Sequence, residues 1–303
     1  MVALIYSCLR LACRRFVGVG ALLTWFAGGV LTAWAGEPVR VVSQTVGTDE
    51  LLLAVAAPEQ IAALSHLARD PVFSGVAREA AAYPQITLGD AETILSHRPT
   101  LALFADYSRA ELVEQVRRAG VPVLIFDRYK TLEEVHAFLR RLAAVLGPEA
   151  VARAEQVAAS DQARLAALRG RLAGVAAVRV IAPSTYGVIA GADTTFQDLC
   201  DHAGAENLAF TLGGLRGHAA PPTERLLGWP VERVVLSGEG DVGAAVARYR
   251  TVPPYSFLPA VREGRAVLIP GWMLGCVSHR RVEAYEALAR ALHPQLWTSG
   301  GTE

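Results

Sequence analysis

The chain has 303 residues, 52 % hydrophobic and 19 % charged, with 29 basic and 29 acidic side chains cancelling to zero. Such a length fits two lobes better than one, and the charge balance leaves no basic footprint for nucleic acid. The positive charge is almost all arginine, Lys130 being the sole lysine.

Residues 1–35 read as an export signal. Arg10, Arg14 and Arg15 form a basic start, Phe16 to Trp34 is apolar, and Ala33-Trp34-Ala35 before Gly36 is a small-x-small cleavage pattern. The alternative is a retained anchor, since the apolar run approaches the length of a membrane span; Gly18, Gly20, Gly28 and Gly29 and the cleavage pattern favour removal. Cys13 precedes the apolar run and is poorly placed for lipidation. Without this segment the chain is slightly acidic and keeps two cysteines, Cys200 and Cys276, with no C-x-x-C. An oxidising periplasm permits a disulfide between them, but the sequence does not show their Cα atoms within reach. Two separate thiols, Cys200 buried on an apolar helix face, is the favoured reading.

From residue 36 onward, β-rich runs alternate with helical patterns. Strands are expected at Arg40–Ser43, Ile61–Leu64, Leu101–Phe104 and Val121–Phe126, with helices at Thr48–Val55, Ala91–Ser96 and Arg109–Arg118 between them. Thr131–Leu146 is amphipathic, with Leu132, Val135, Phe138, Leu139 and Leu142 on one face. Gly147-Pro148 ends it, and Glu149–Leu172 is an unbroken helical pattern spanning about 35 Å. Further strands are expected at Val178–Ala182, Val188–Ala190, Val234–Ser237 and Ala266–Ile269. Helices are expected at Thr195–Ala203, capped by Asp193 or Thr194, and at Ser278–Leu292. The expectation is α/β: two Rossmann-like lobes, 36–147 and 173–303, with mainly parallel sheets joined by one long helix, 148–172.

Three stretches carry a family likeness: Arg40-Val41-Val42-Ser43 leading to Gly47-Thr48-Asp49-Glu50-Leu51-Leu52-Leu53, then Glu92 to Leu103, then Gly120-Val121-Pro122-Val123. Their order over residues 38–294 resembles the periplasmic substrate-binding proteins of ABC importers for iron–siderophore complexes, haem and cobalamin. Thr100 stands where that family usually has Asp, and Ala56-Ala57 where it usually has Gly. The resemblance implies a periplasmic, monomeric solute receptor with no cofactor of its own and no catalytic residues. It would hold a metal chelate between its lobes, with small rocking motions about the stiff helix, and deliver it to an inner-membrane permease and its ATPase. Ferric siderophore ranks first as ligand, cobalamin second and haem third. The resemblance also implies that Glu111 and Glu224, each in a helix first turn, dock on the permease; without it they are simply acids favoured by the helix dipole.

Ligands of open α/β sheets lie beyond the carboxyl ends of the strands. Tyr107, Tyr186, His218 and Trp272 fall in such loops, as does Tyr129, with Arg128 and Arg216 beside them. Aromatics suit a flat ligand and arginines its carboxylates; for haem, Tyr107 or His218 would reach the iron. His97, His136, His202 and His293 read as ordinary helix or surface residues, and His66 and His279 as intermediate. No H-E-x-x-H, G-x-S-x-G or P-loop pattern occurs. The rivals are a bare zinc or manganese receptor, which needs three or four converging donors, and a two-lobed enzyme of the chelatase type acting on tetrapyrroles.

Overall fold

A computed structural model describes residues 38–297; the export signal expected over residues 1–35 lies outside the described residues. In the first lobe β1 (Val41–Ser43), α1 (Val46–Val55), β2 (Ile61–Ala63), α2 (Ala77–Ala80), α3 (Ala91–Ser96), β3 (Leu101–Ala105), α4 (Ala110–Arg118), β4 (Val123–Phe126) and α5 (Leu132–Leu146) follow in order. Next comes α6 (Pro148–Leu172). The second lobe begins with β5 (Val178–Ile181), β6 (Ile189–Ala190), α7 (Thr195–His202), β7 (Ala205–Asn207), α8 (Leu208–Thr211), β8 (His218–Ala219) and α9 (Thr223–Leu226). It is completed by β9 (Arg233–Ser237), α10 (Val242–Ala247), α11 (Pro259–Arg262), β10 (Ala266–Ile269), α12 (Gly271–Leu274) and α13 (Arg281–Leu292).

Each lobe holds a four-stranded parallel sheet, ordered β2-β1-β3-β4 and β10-β9-β5-β7, and β6 and β8 form a small antiparallel pair. The strands sort their side chains by alternation. Val41, Leu101 and Leu103 pack towards α1 and α5, while Val42, Ala102 and Phe104 pack with Leu112, Val113 and Val116 of α4 on the other face. The second sheet does the same, with Val180, Val235 and Ile269 towards α7 and α13, and Ile181, Val234 and Leu236 on the opposite face. Leu51 and Leu52 of α1 are fully buried, each contributing about 2 kcal/mol over the exposed state.

The turn from α5 to α6 takes one residue, Gly147, at φ +116°, a conformation that excludes larger side chains. Pro148 then opens α6, where its missing N–H costs nothing. The buried stripe of α6 puts Ala150 and Ala154 in the core of the first lobe and Leu165 and Leu168 in that of the second. Thr194, not Asp193, caps α7, accepting the Gln197 amide at 3.2 Å. Asp193 instead takes a positive φ of 59°. Strand β7 was not foreseen, because Ala205-Glu206-Asn207 carries none of the branched or aromatic residues that mark strands. Cys200 and Cys276 are free and buried. Among the described residues no helix is long and apolar enough to cross a membrane.

Candidate functional site

In the first sheet the strand order reverses between β1 and β3, where the two following loops diverge and open a crevice. Tyr107, two residues past β3, and Val46, opening α1, stand on either side of it. Ser108 ties the two loops: its hydroxyl donates to Gln44 Oε1 at 2.7 Å and accepts the Ala105 amide at 3.1 Å. Thr45 caps α1 in a reciprocal box with Thr48.

A hollow of about 370 Å³ lies over this point, bounded by Val46, His66, Phe73, Tyr107 and Arg109 of the first lobe and Trp272 of the second. A smaller one of about 240 Å³ continues from Phe73, Tyr107 and Trp272 down to Glu50 and Cys276. Tyr107 and Phe73 are more than half exposed and share the lining of this hollow with Trp272, which gathers three large rings in one concave place. A separate hollow of about 710 Å³ lies between the β4–α5 loop and the β6–β8 pair, lined by Lys130, Arg169, His202, Phe210, Arg216 and His218. Tyr129 lines this larger hollow and presents its ring edge-on to Tyr107, centroids 6.4 Å apart, while its hydroxyl donates to Asp106 at 2.9 Å.

The expected site residues therefore divide. Tyr107 and Trp272 converge in one hollow, and Arg216 and His218 line the other, Arg216 paired with Asp193 at 2.5 Å. Tyr186 is 92 % exposed and lines neither. Arg128 also lies outside both, holding Glu134 at 2.8 Å at the start of α5. Glu111 and Glu224 are exposed in the first turns of α4 and α9. Sequence reasoning missed Phe73 and Glu50. The turn-rich run Asp70-Pro71-Val72-Phe73-Ser74-Gly75 after β2 was the available signal for Phe73.

Two adjacent carboxylates of α1 underlie the first hollow. Asp49 accepts the amide of Ser65 at 3.1 Å and its hydroxyl at 2.5 Å, fixing the loop that carries His66. Burial pushes Asp49 up to about 7, against the pull of the Ser43 and Ser65 hydrogen bonds. Glu50 is raised for the same reason, with Ser278 and the Gly75 amide opposing. The Tyr107 ring is more than half exposed, but its hydroxyl end lies against Thr45, and desolvation there raises the phenol, helped by Asp106, Asp49 and Glu50 and opposed by the Thr45 hydrogen bond; it is a neutral hydroxyl in the free protein. Among the described residues no three His, Cys, Asp or Glu side chains gather as a metal-ion site.

These lobes, sheets and facing loops define a two-lobed α/β architecture with hollows beyond the carboxyl ends of the strands, where ligands of such sheets lie. The sequence profile of the periplasmic binding protein family matches residues 41–271, and the chain belongs to that family. No curated protein matches it by sequence. Solved structures do match. The periplasmic heme-binding protein RhuT from Roseiflexus sp. RS-1, in apo form, has a TM-score of 0.73 and 23 % identity, covering 86 % of this chain and 99 % of its own. A periplasmic heme-binding protein from Pseudomonas aeruginosa has 0.71 and 24 %, covering 85 % and 93 %. HutB of Vibrio cholerae, also a periplasmic heme-binding protein, has 0.70 and 20 %, covering 84 % and 99 %.

Proposed function

We propose that the chain is the periplasmic solute-binding component of an ABC importer, capturing a planar metal chelate between its lobes, with haem now ahead of ferric siderophore and cobalamin. The observation that carries this is the convergence of Phe73 and Tyr107 from one lobe and Trp272 from the other at the reversal point of the first sheet. Apolar rings on both sides suit a flat macrocycle, and the Tyr107 hydroxyl among them is a donor for ferric iron once deprotonated. That the matching structures are heme-binding proteins supports haem over the other chelates. Glu111 and Glu224 are the exposed acids that would meet arginines of a permease, which with its ATPase completes the importer; the chain acts as a monomer and performs no catalysis.

Titration of the purified protein with hemin, ferric siderophores and cyanocobalamin, followed by absorbance and Trp fluorescence, tests this. Saturable submicromolar hemin binding is expected. Saturation by another chelate alone would move the cargo, and response to none of them would overturn the proposal.

A further inference from the structure

Two glycines mark where the lobes press together at the edge of the first hollow. A Cβ on Gly271 would lie 2.9 Å from the Val72 carbonyl oxygen, and one on Gly75 would lie 2.8 Å from Arg280 and 2.9 Å from Trp272. The segment Asp70–Gly75 therefore lies as a strap directly on α12 of the other lobe, at a distance only glycine permits. The strap is ordered from within. The Asp70 carboxylate accepts the Val72 amide at 2.8 Å, and its carbonyl accepts the amides of Phe73 at 3.1 Å and Ser74 at 2.8 Å.

Its far end is held by Glu50, which is 3 % exposed. One oxygen accepts the Gly75 amide at 3.0 Å; the other accepts the Ser278 hydroxyl and lies 3.9 Å from the Cys276 sulfur. The Arg280 guanidinium beside it pairs with Glu283 at 2.8 Å and lies 5.2 Å from the centre of the Trp272 ring, backing that wall of the cleft.

We propose that Glu50 is a positioning residue of the ligand cleft, whose carboxylate joins the strap Asp70–Gly75 to Ser278 of the other lobe and so presets Phe73 and Trp272 as facing walls. This rests on the reading of that cleft as the ligand site. A buried carboxylate is costly unless its oxygens are met by donors. Here the donors belong to the two segments that carry the cleft aromatics: Gly75 follows Phe73 by two residues and Ser278 follows Trp272 by six. Walls set in advance need less ordering on binding, so Glu50 acts chiefly on how long the ligand stays.

The test compares native protein with Glu50→Ala, Glu50→Gln and Gly271→Ala, reading hydrogen exchange of the strap without ligand and the rate of hemin release to a scavenger. In Glu50→Ala, strap exchange and hemin release should each rise at least tenfold with the hemin spectrum unchanged. Glu50→Gln keeps an acceptor for the Gly75 amide and an NH₂ that the Ser278 hydroxyl can accept, and should stay within about threefold of native. Unchanged strap exchange in folded Glu50→Ala overturns the proposal, as does equal damage from Gln and Ala. If Glu50→Ala does not fold, Gly271→Ala decides: it lifts the strap from α12 with Glu50 intact, and native behaviour there contradicts the proposal. Failure of the native protein to take up hemin, alongside the expected exchange pattern, would sink the haem reading and leave the strap contact standing.

Discussion

His136 on α5 and Asp161 on α6 meet at 2.8 Å, both almost fully buried, at the midpoint of the helix that joins the lobes. One turn further on, Arg164 holds Glu286 of α13 at 2.7 Å. The connector is thus bonded to the last helix of each lobe.

Asp161→Ala leaves the His136 imidazole buried without its partner. It should cost about 3 kcal/mol in urea unfolding, whereas Glu155→Ala, which removes only an exposed pair with Arg140, should cost less than about 1 kcal/mol. Equal effects would mean that the buried pair does not hold the joint.

Arg281 is 1 % exposed and crosses the lobe boundary, donating to the carbonyls of Tyr129 at 2.6 Å and Lys130 at 3.3 Å while facing Asp198 at 3.2 Å. A lysine cannot reproduce this fork. Arg281→Lys should lower stability by about 2–4 kcal/mol and speed hydrogen exchange in the β4–α5 loop. A variant with native stability would contradict the assignment.

Asp49 gives a pH signature. Its folded-state value of about 7 lies above the ordinary 3.8, so its contribution is fully present below about pH 4 and is lost as pH rises through 7, by at most about 4 kcal/mol. Asp49→Asn, neutral throughout, should match the native chain in stability near pH 4 and exceed it at pH 8, the gap opening between pH 4 and 7. A difference that stays the same between pH 4 and pH 8 would refute this.

Tyr107 carries a second one. Its phenol is held above the ordinary range, so ligating ferric iron releases a proton. Hemin affinity should therefore rise about tenfold per pH unit between pH 6 and 8. Tyr107→Phe should flatten that slope; an equally steep slope in the variant would place the proton elsewhere.

Much of the architecture was legible in sequence. The strand runs and the 3.6-residue patterns keep their order, and the helix expected over Glu149–Leu172 forms over Pro148–Leu172, because Gly147-Pro148 is both a stop and a start signal. Strand β7 and the four-residue helices α2, α8, α11 and α12 rest on tertiary pairing and packing that short local patterns do not encode, whereas α9 forms where Glu224 was expected to open a helix. The candidate site was legible in part. Loops after strands pointed to Tyr107 and Trp272, but nothing local separates their hollow from the one lined by Arg216 and His218. Nothing local in the run Thr48-Asp49-Glu50-Leu51 marks Glu50 for burial; its carboxylate is enclosed by Gly75 of one lobe and Ser278 of the other. Phe73 reaches the cleft because Gly271 admits the Val72 carbonyl and Gly75 leaves room for the Trp272 and Arg280 side chains, contacts between residues far apart in the chain.

The central claim is that the chelate lies between Tyr107 and Trp272. Equilibrium hemin binding to Tyr107→Ala, Trp272→Ala, their double variant and His218→Ala tests it most directly. Each of the first two should weaken binding at least tenfold, the double variant should fall short of their product because both walls hold one ligand, and His218→Ala should bind as the native chain does. Native affinity in the first two with loss in His218→Ala would contradict the account and move the ligand to the larger hollow.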